Sequence, residues 1–406
     1  MRSWSWGNFA AVAGLCLGSY GLYAWRGGYS SSFLLYGTAA LLILALLPVS
    51  LGMRGLRVER TIEQSRYFAG EDVPVTVTIR RGTVFPAGWI VVTDVWTDGR
   101  EEYRHSRLLF PGFRGIVRYR YKLSRAARGQ YRFFRTDVHA GDWIGLLRRR
   151  LSFAGETGIA VYPKPLHLDQ YGKRTFAESD NPVALPWMKP SQSAVMTGIR
   201  GYVAGDPQRT IHWKATARSG SLMTKSSDPT DSGRLLVVLD RSSDVYVGKE
   251  GAERFEACVR VAAGLAEQAV RQRLQIGLYA GRHPDQAFPL ALTPGLAGMY
   301  ELLSRVKADE SVSAADLILQ EAAGWPAECP VALVTAAADE SIVRAARILR
   351  SCRRRLDVWL VHTGTDMPNR YRPWVQELET AGCRVYAVAL VRSHWREAGG
   401  AEDVIA

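Results

Sequence analysis

The sequence predicts a membrane-anchored α+β protein of several domains, and three patterns carry that expectation. Two uncharged stretches lie back to back at the start, a period-two alternation runs through residues 56–163, and short apolar runs alternate with amphipathic helices from residue 234. The expected segments are a two-helix transmembrane hairpin over 1–53, a small antiparallel β module over 56–163, a connector over 164–233, an α/β domain of Rossmann type over 234–392 and a tail over 393–406. At 406 residues, 47% hydrophobic and 22% charged, the composition is that of a folded chain. It excludes a collagen, a disordered tail protein and a disulfide miniprotein.

No charged residue lies between Arg2 and Arg26, and none between Arg26 and Arg54. Each gap is long enough for the ~20 residues that a helical span requires. Trp4, Trp6 and Trp25 bracket the first stretch, and Tyr29 and Tyr36 open the second, as aromatic anchoring at headgroup level would place them. A cleaved signal peptide is the alternative for the first stretch, but that stretch exceeds a usual signal core and a second follows at once. Arg2 precedes the pair, Arg54, Arg57, Arg60 and Arg66 follow it, and only Arg26 lies between. Positive flanks stay inside, so two spans would put both termini and the soluble domains in the cytoplasm. Cys258, Cys329, Cys352 and Cys383 lack the paired short spacing of a disulfide framework or zinc site, which fits a reduced compartment.

The formal charge is +13, with 52 Lys and Arg against 39 Asp and Glu. Its location matters more than its size: residues 54–155 hold 20 basic and 10 acidic groups, whereas residues 234–406 are nearly balanced. A basic segment that starts at a membrane face is explained by the anionic lipid of the inner leaflet, which attracts each nearby basic side chain by about 1 kcal/mol.

Within the β module, Val73, Val75, Val77 and Ile79 alternate with Pro74, Thr76, Thr78 and Arg80, and Val117–Leu123 repeats the pattern with Arg118, Arg120 and Lys122 on the outer face. Trp89–Trp96, Tyr131–Phe134, Ile144–Leu147 and Ile159–Tyr162 are further strand candidates, so a small sandwich or barrel is expected. The basic and aromatic interleaving could serve nucleic acid, but a solvated sheet face accounts for it, and no nucleic-acid partner is expected. Prolines 163, 165, 182, 186 and 190 mark the connector.

From residue 234 strands are expected at Arg234–Asp240, Gln275–Ala280, Val331–Thr335, Leu356–His362 and Arg384–Leu390. Helices are expected at Ala252–Arg273, Leu296–Lys307, Ala314–Ala323, Ile342–Cys352 and Tyr371–Ala381. Such alternation gives a mostly parallel sheet wrapped by helices, with ligands at the carboxyl ends of the strands. That places Asp240 and the residues after it at a candidate site.

The most distinctive stretch is 198–218, which holds Arg200, Tyr202, Gly205, Asp206, Arg209, His212, Trp213, Lys214 and Arg218. Asp206 is suited to cap a helix, Pro207 to open it and Ser219-Gly220 to close it. Lys214 and Arg218 would then stand one turn apart, where like charges repel by roughly 0.2–0.5 kcal/mol, so an acidic group should face them. A carboxylate of the same chain is one candidate; a phosphate or a partner's acidic surface is the other. His212 reads as a packed or hydrogen-bonded residue, because no nucleophile or second base lies nearby.

That string, Gly198-x-Arg-x-Tyr-x-x-Gly-Asp-x-x-Arg-x-Ile-His-Trp-Lys-x-x-Ala-Arg218, resembles the signature of the bacterial family of unknown function number fifty-eight. The resemblance implies a membrane-anchored protein in the bacterial cell membrane whose C-terminal half is similar to von Willebrand factor A domains. It also implies association with a MoxR-type AAA+ ATPase and with a transglutaminase-like membrane protein. Von Willebrand A domains hold a metal ion on Asp-x-Ser-x-Ser after the first strand, with a later Thr and Asp. Here Asp240, Ser242 and Thr335 match, Asp244 replaces the second Ser, Ala336 follows the Thr, and Arg241 adds a positive charge. A degenerate, metal-free site is the expectation; Mg²⁺ is the ion it would take if occupied. No other cofactor is expected.

No phosphate loop, HExxH, GxSxG or close Cys/His group occurs in the sequence. The expected function is therefore a non-enzymatic, membrane-tethered adaptor that docks a MoxR-type AAA+ ATPase in an envelope-related assembly. The alternative is an enzyme or binding module acting on an anionic envelope substrate through Arg209, His212, Lys214 and Arg218.

Overall fold

The computed structural model describes residues 3–4, 6–83, 85–99, 101–145, 147–168, 198–203, 211–226, 234–272, 274–281, 295–309, 311–325, 329–364 and 367–390. These fall into two compact units, one built on residues 1–162 and the other on 163–396.

The first unit opens with strand β1 (Ser3–Trp4) and two helices, α1 (Trp6–Arg26) and α2 (Tyr29–Ser50). The expected pair of spans is corrected here. Among the described residues only α2 is long and apolar enough to cross a membrane. The uncharged stretch of α1 is interrupted by Gly7, Asn8, Gly14, Gly18, Ser19 and Gly21, and absence of charge is a weaker criterion than apolarity. The two-span topology, and the placement of both termini inside that rested on it, fall with this. The helices still pack on each other: Ser19 Oγ and Thr38 Oγ1 are 2.7 Å apart in their interface.

Eight strands follow: β2 (Arg57–Ile62), β3 (Arg66–Phe68), β4 (Val73–Arg80), β5 (Trp89–Thr97), β6 (Glu102–Leu109), β7 (Ile116–Leu123), β8 (Gly129–Gly141) and β9 (Arg148–Tyr162). One sheet runs β2-β4-β7 and the other β1-β9-β8-β5-β6, with β3 also pairing β9. Val73, Val75, Val77 and Ile79 are fully buried and meet Ile90, Val92, Phe133, Val138 and Val161 in one core. The expected alternation in β4 is therefore its inward face. The outer face of β7 carries exposed ion pairs, Lys122 with Asp72 at 2.8 Å and Arg120 with Glu63 at 3.8 Å. Ile144–Leu147, expected as a strand, is part of the tight connection between β8 and β9: Gly145 turns through φ +84, Ile144 is exposed and Leu147 is buried. An apolar run at a hairpin tip looks like a short strand when only composition is read.

The core also holds a charge. Asp94, fully buried, accepts from Arg60 Nε at 3.0 Å, Thr136 Oγ1 at 2.9 Å and Tyr121 Oη at 2.6 Å. The Arg60 guanidinium lies over the Phe133 ring at 4.8 Å. A buried pair with this many partners is well compensated, and loss of one partner strands the other.

The second unit contains a two-stranded ribbon, β10 (Gly198–Gly201) with β11 (Met223–Ser226), flanking helix α3 (Trp213–Ser219). Then come β12 (Arg234–Leu239), α4 (Gly248–Arg271), β13 (Gln275–Tyr279), α5 (Gly295–Arg305), α6 (Ala314–Glu321), β14 (Val331–Thr335), α7 (Glu340–Ser351), β15 (Leu356–Thr363), α8 (Arg372–Thr380) and β16 (Arg384–Leu390). The sheet is parallel throughout, ordered β13-β12-β14-β15-β16. The strands read as continuous apolar runs because helices cover both faces. Capping follows the sequence: Asp339 accepts from Ile342 N and opens α7, and Ser313 accepts from Asp316 N and opens α6. Residues 163–168 run across α4, where Leu166 N donates to Arg260 O at 3.1 Å.

Candidate functional site

The chain leaves β12 toward β13 on one side and returns to β14 on the other, so the strand order reverses between β12 and β14. The crevice at the carboxyl ends of those two strands is where such sheets bind ligands. Asp240 follows β12 there, and Thr335 ends β14.

Asp240 is buried, and its carboxylate is fully engaged. Oδ1 accepts from Ser242 N at 3.0 Å and Ser242 Oγ at 2.7 Å, and Oδ2 accepts from Thr335 Oγ1 at 2.6 Å. Burial pushes its pKa up, the bonds from Thr335 and Ser242 pull it down, and the nearby Asp339 charge adds to the rise; the net direction is upward. Three of the four residues singled out in the sequence thus meet. Asp244 does not join them, being exposed on the turn after Ser242.

These residues do not fit Mg²⁺. A hard cation takes six or more oxygens, whereas the crevice gathers one carboxylate and two hydroxyls, with Asp244 exposed on the turn and Ala336 following Thr335 where an acidic ligand would stand. Among the described residues no three acidic, His or Cys side chains gather to hold a metal. Asp339, the nearest further carboxylate, is occupied in capping α7. Arg241 does not sit between the ligands as its sequence position suggests. Its buried guanidinium turns away and donates to Lys307 O at 2.7 Å, to Ala280 O and to Asp309.

Two residues at this crevice carried no sequence signal. Tyr246 Oη reaches Cys258 Sγ at 3.5 Å, and burial pushes the Tyr246 hydroxyl far above its ordinary range. Tyr371 Oη donates to Ala336 O at 3.0 Å, holding the turn after β14. Only tertiary packing brings them to the site.

The signature stretch differs from its expected form. Ile211 bridges to Thr224 and His212 is non-helical at φ -94 and ψ 84, so no helix runs unbroken from Pro207 to Arg218. Gly205, Asp206 and Arg209 lie outside the described residues. The helix that forms is α3, capped by His212, whose Nδ1 accepts from Ala215 N at 3.1 Å, and closed by Gly220 at φ 70. None of its residues is buried. Lys214 and Arg218 are exposed and form no ion pair among the described residues, contrary to the carboxylate-paired arrangement weighed above. Trp213 is 67% exposed beside them. Arg200 lies in β10, opposite Thr224, and Tyr202 N donates to Leu222 O at 2.9 Å.

Residues 198–392, from β10 through β16, match the model of the family described as Protein of unknown function DUF58. They form a DUF58 domain. Both the ribbon with α3 and the Asp240 crevice belong to it. Uncharacterized protein YeaD of Bacillus subtilis (strain 168) is 28% identical over 277 residues, which are 67% of this chain and 67% of that protein. Among solved structures, the sporulation control protein Spo0M of Bacillus subtilis aligns over 26% of this chain and 49% of its own, at 16% identity and a TM-score of 0.16. A β-glucosidase of Erythrobacter marinus aligns over 26% of this chain and 15% of its own, at 17% identity and a TM-score of 0.17. The chain spans half or less of these two structures, and at such scores neither bears on its function.

Proposed function

We propose that this chain is a non-enzymatic scaffold, tethered to a membrane by α2, whose DUF58 domain docks a MoxR-type AAA+ ATPase. The observation that carries the reading is α3: a short helix with no buried residue presents Trp213 beside exposed Lys214 and Arg218. Leaving a large aromatic in water forgoes its burial energy, and aromatic and basic anchors of this kind are enriched where partners bind. The Asp240 crevice supports the same reading, because its carboxylate is turned inward onto Ser242 and Thr335 rather than toward a substrate. His212 likewise uses one ring nitrogen as a cap, which does not favour the alternative of general-base work on an anionic substrate.

Affinity capture of the full chain in detergent, with the MoxR-type ATPase of the same organism, tests this. The native chain should retain the ATPase, and Trp213→Ala with Arg218→Glu should lose it while melting at the native temperature. Retention by that variant, or no capture by the native chain, would remove the reading.

A further inference from the structure

We propose that the end of the β sandwich from which α2 emerges is a seat for an anionic lipid bilayer, with Phe110, Phe113, Trp143 and Ile144 entering the headgroup zone and Arg54 and Arg114 meeting lipid phosphates. The inference rests on the tethering by α2 proposed above and adds a second, independent contact.

The strand registers put four connections at one end of the sandwich. Arg80 pairs with both Arg57 and Ile116, Leu109 with Ile90, and Trp89 with Gly141. The segments 51–56, 81–88, 110–115 and 142–147 therefore share that end. Their apolar side chains are not tucked in: Phe110 is 70% exposed, Phe113 74%, Trp143 53% and Ile144 47%. Large exposed apolar clusters of this kind mark an interaction surface.

Two contacts align this end with α2. The buried Arg81 guanidinium donates to Gly52 O at 3.1 Å, Phe85 O at 3.1 Å and Gly112 O at 2.9 Å, so one side chain ties the base of α2 to the 110–115 loop. Leu147 packs on Ala45 and Val49 of α2, both fully buried. Ala45 precedes the last helical residue, Ser50, by five positions, or about 7.5 Å along the axis. The 142–147 loop therefore rises beside the final turn and a half of the helix. If α2 enters a bilayer, Trp143 and Ile144 enter its interfacial layer with it, the depth at which aromatic side chains anchor.

Charge is divided the same way. The seating end carries Arg54 and Arg114 on its surface, and its Asp142 is buried. The opposite tips, about 30 Å away along the nine residues of β5, carry Glu63, Glu71, Asp72, Asp98 and Glu101 together with Arg125 and Arg128, and Lys122 and Arg120 pair with Asp72 and Glu63 there. An anionic surface would favour the first end, whose exposed charges are basic, over the second, where acids and bases are mixed.

The test reconstitutes the full chain in nanodiscs of phosphatidylglycerol and phosphatidylethanolamine doped with a phospholipid bearing a diazirine near its headgroup, and maps photolabelled peptides by mass spectrometry. Label is expected on α2 and, several-fold above the Asp98-Gly99 turn, on peptides containing 110–114 and 143–144. Phosphatidylcholine discs should weaken the loop label, and Phe113→Ser with Trp143→Ser should abolish it without changing the melting temperature. A labelled α2 with both loops at the level of the Asp98-Gly99 turn would overturn the seat and keep the tether. Labelled loops with a bare α2 would overturn the tether and keep the seat. Equal loop labelling in phosphatidylcholine would overturn the anionic preference.

Discussion

Asp240 shows how one side chain can be legible in sequence and still change meaning in the fold. Its place after an apolar strand, two residues before Ser242, was readable from spacing, and so was Thr335. What spacing could not say is that both hydroxyls donate to the carboxylate while Asp244 stands apart, exposed on the turn. A buried acid with a raised pKa has a definite pH signature. Its folded form holds the proton more tightly than the unfolded chain, so the stability linked to that proton is full below the unfolded value of about 3.9 and is lost as pH rises through the folded value. Asp240→Asn keeps an acceptor for Ser242 and never ionises. The melting temperature of the native protein relative to this variant should therefore fall as pH rises above about 4; a gap independent of pH would show that Asp240 titrates as in water.

Among elements, α3 and α4 mark the limits of pattern reading. The turn signals Pro207 and Ser219-Gly220 suggest a helix of about three turns, yet α3 begins only at Trp213, because Ile211 is held in a bridge to Thr224. A contact between residues thirteen positions apart overrides the local preference, and no propensity reports it. In α4 the periodic burial of Cys258, Ala262, Leu265 and Ala269 follows directly from sequence. Gly264 has a reason only the fold supplies: a Cβ there would stand 2.2 Å from Leu166 O. Gly264→Ala should displace residues 163–168 from α4 at a cost of about 1–3 kcal/mol, typical of overpacking. Limited proteolysis should then cut the variant near Lys164 faster than the native chain; equal rates would mean that the segment yields without loss.

For the first unit as a whole, α2, the one described helix apolar enough to span, also packs against the end of the sandwich. Ala45 and Val49 cover Leu147, and Arg81 holds Gly52. A fragment beginning at residue 54 uncovers Leu147 and removes the Gly52 carbonyl from Arg81, whereas one beginning at 41 keeps both contacts. The shorter fragment should be less stable by about 2 kcal/mol, the value of one apolar side chain returned to water, when the two are compared by urea unfolding in mild detergent. Equal midpoints would show that α2 is joined to the sandwich by chain connectivity alone. The basic excess after residue 53 was plain from composition, but its division between the two ends of the sandwich depends on which loops the registers gather.

By itself the sequence determined the local periodicities, namely the inward face of β4 and the apolar strands of the parallel sheet, and it carries the family match over residues 198–392. These depend on neighbours within one turn or one pleat, where side-chain spacing sets which face is buried. The tertiary structure decided what depends on distant partners. It turned Arg241 away from Asp240, exposed Trp213, and brought Phe110 and Trp143 to the end where α2 emerges. Such outcomes follow from strand register and close packing between segments far apart in the chain, which no window along the sequence contains.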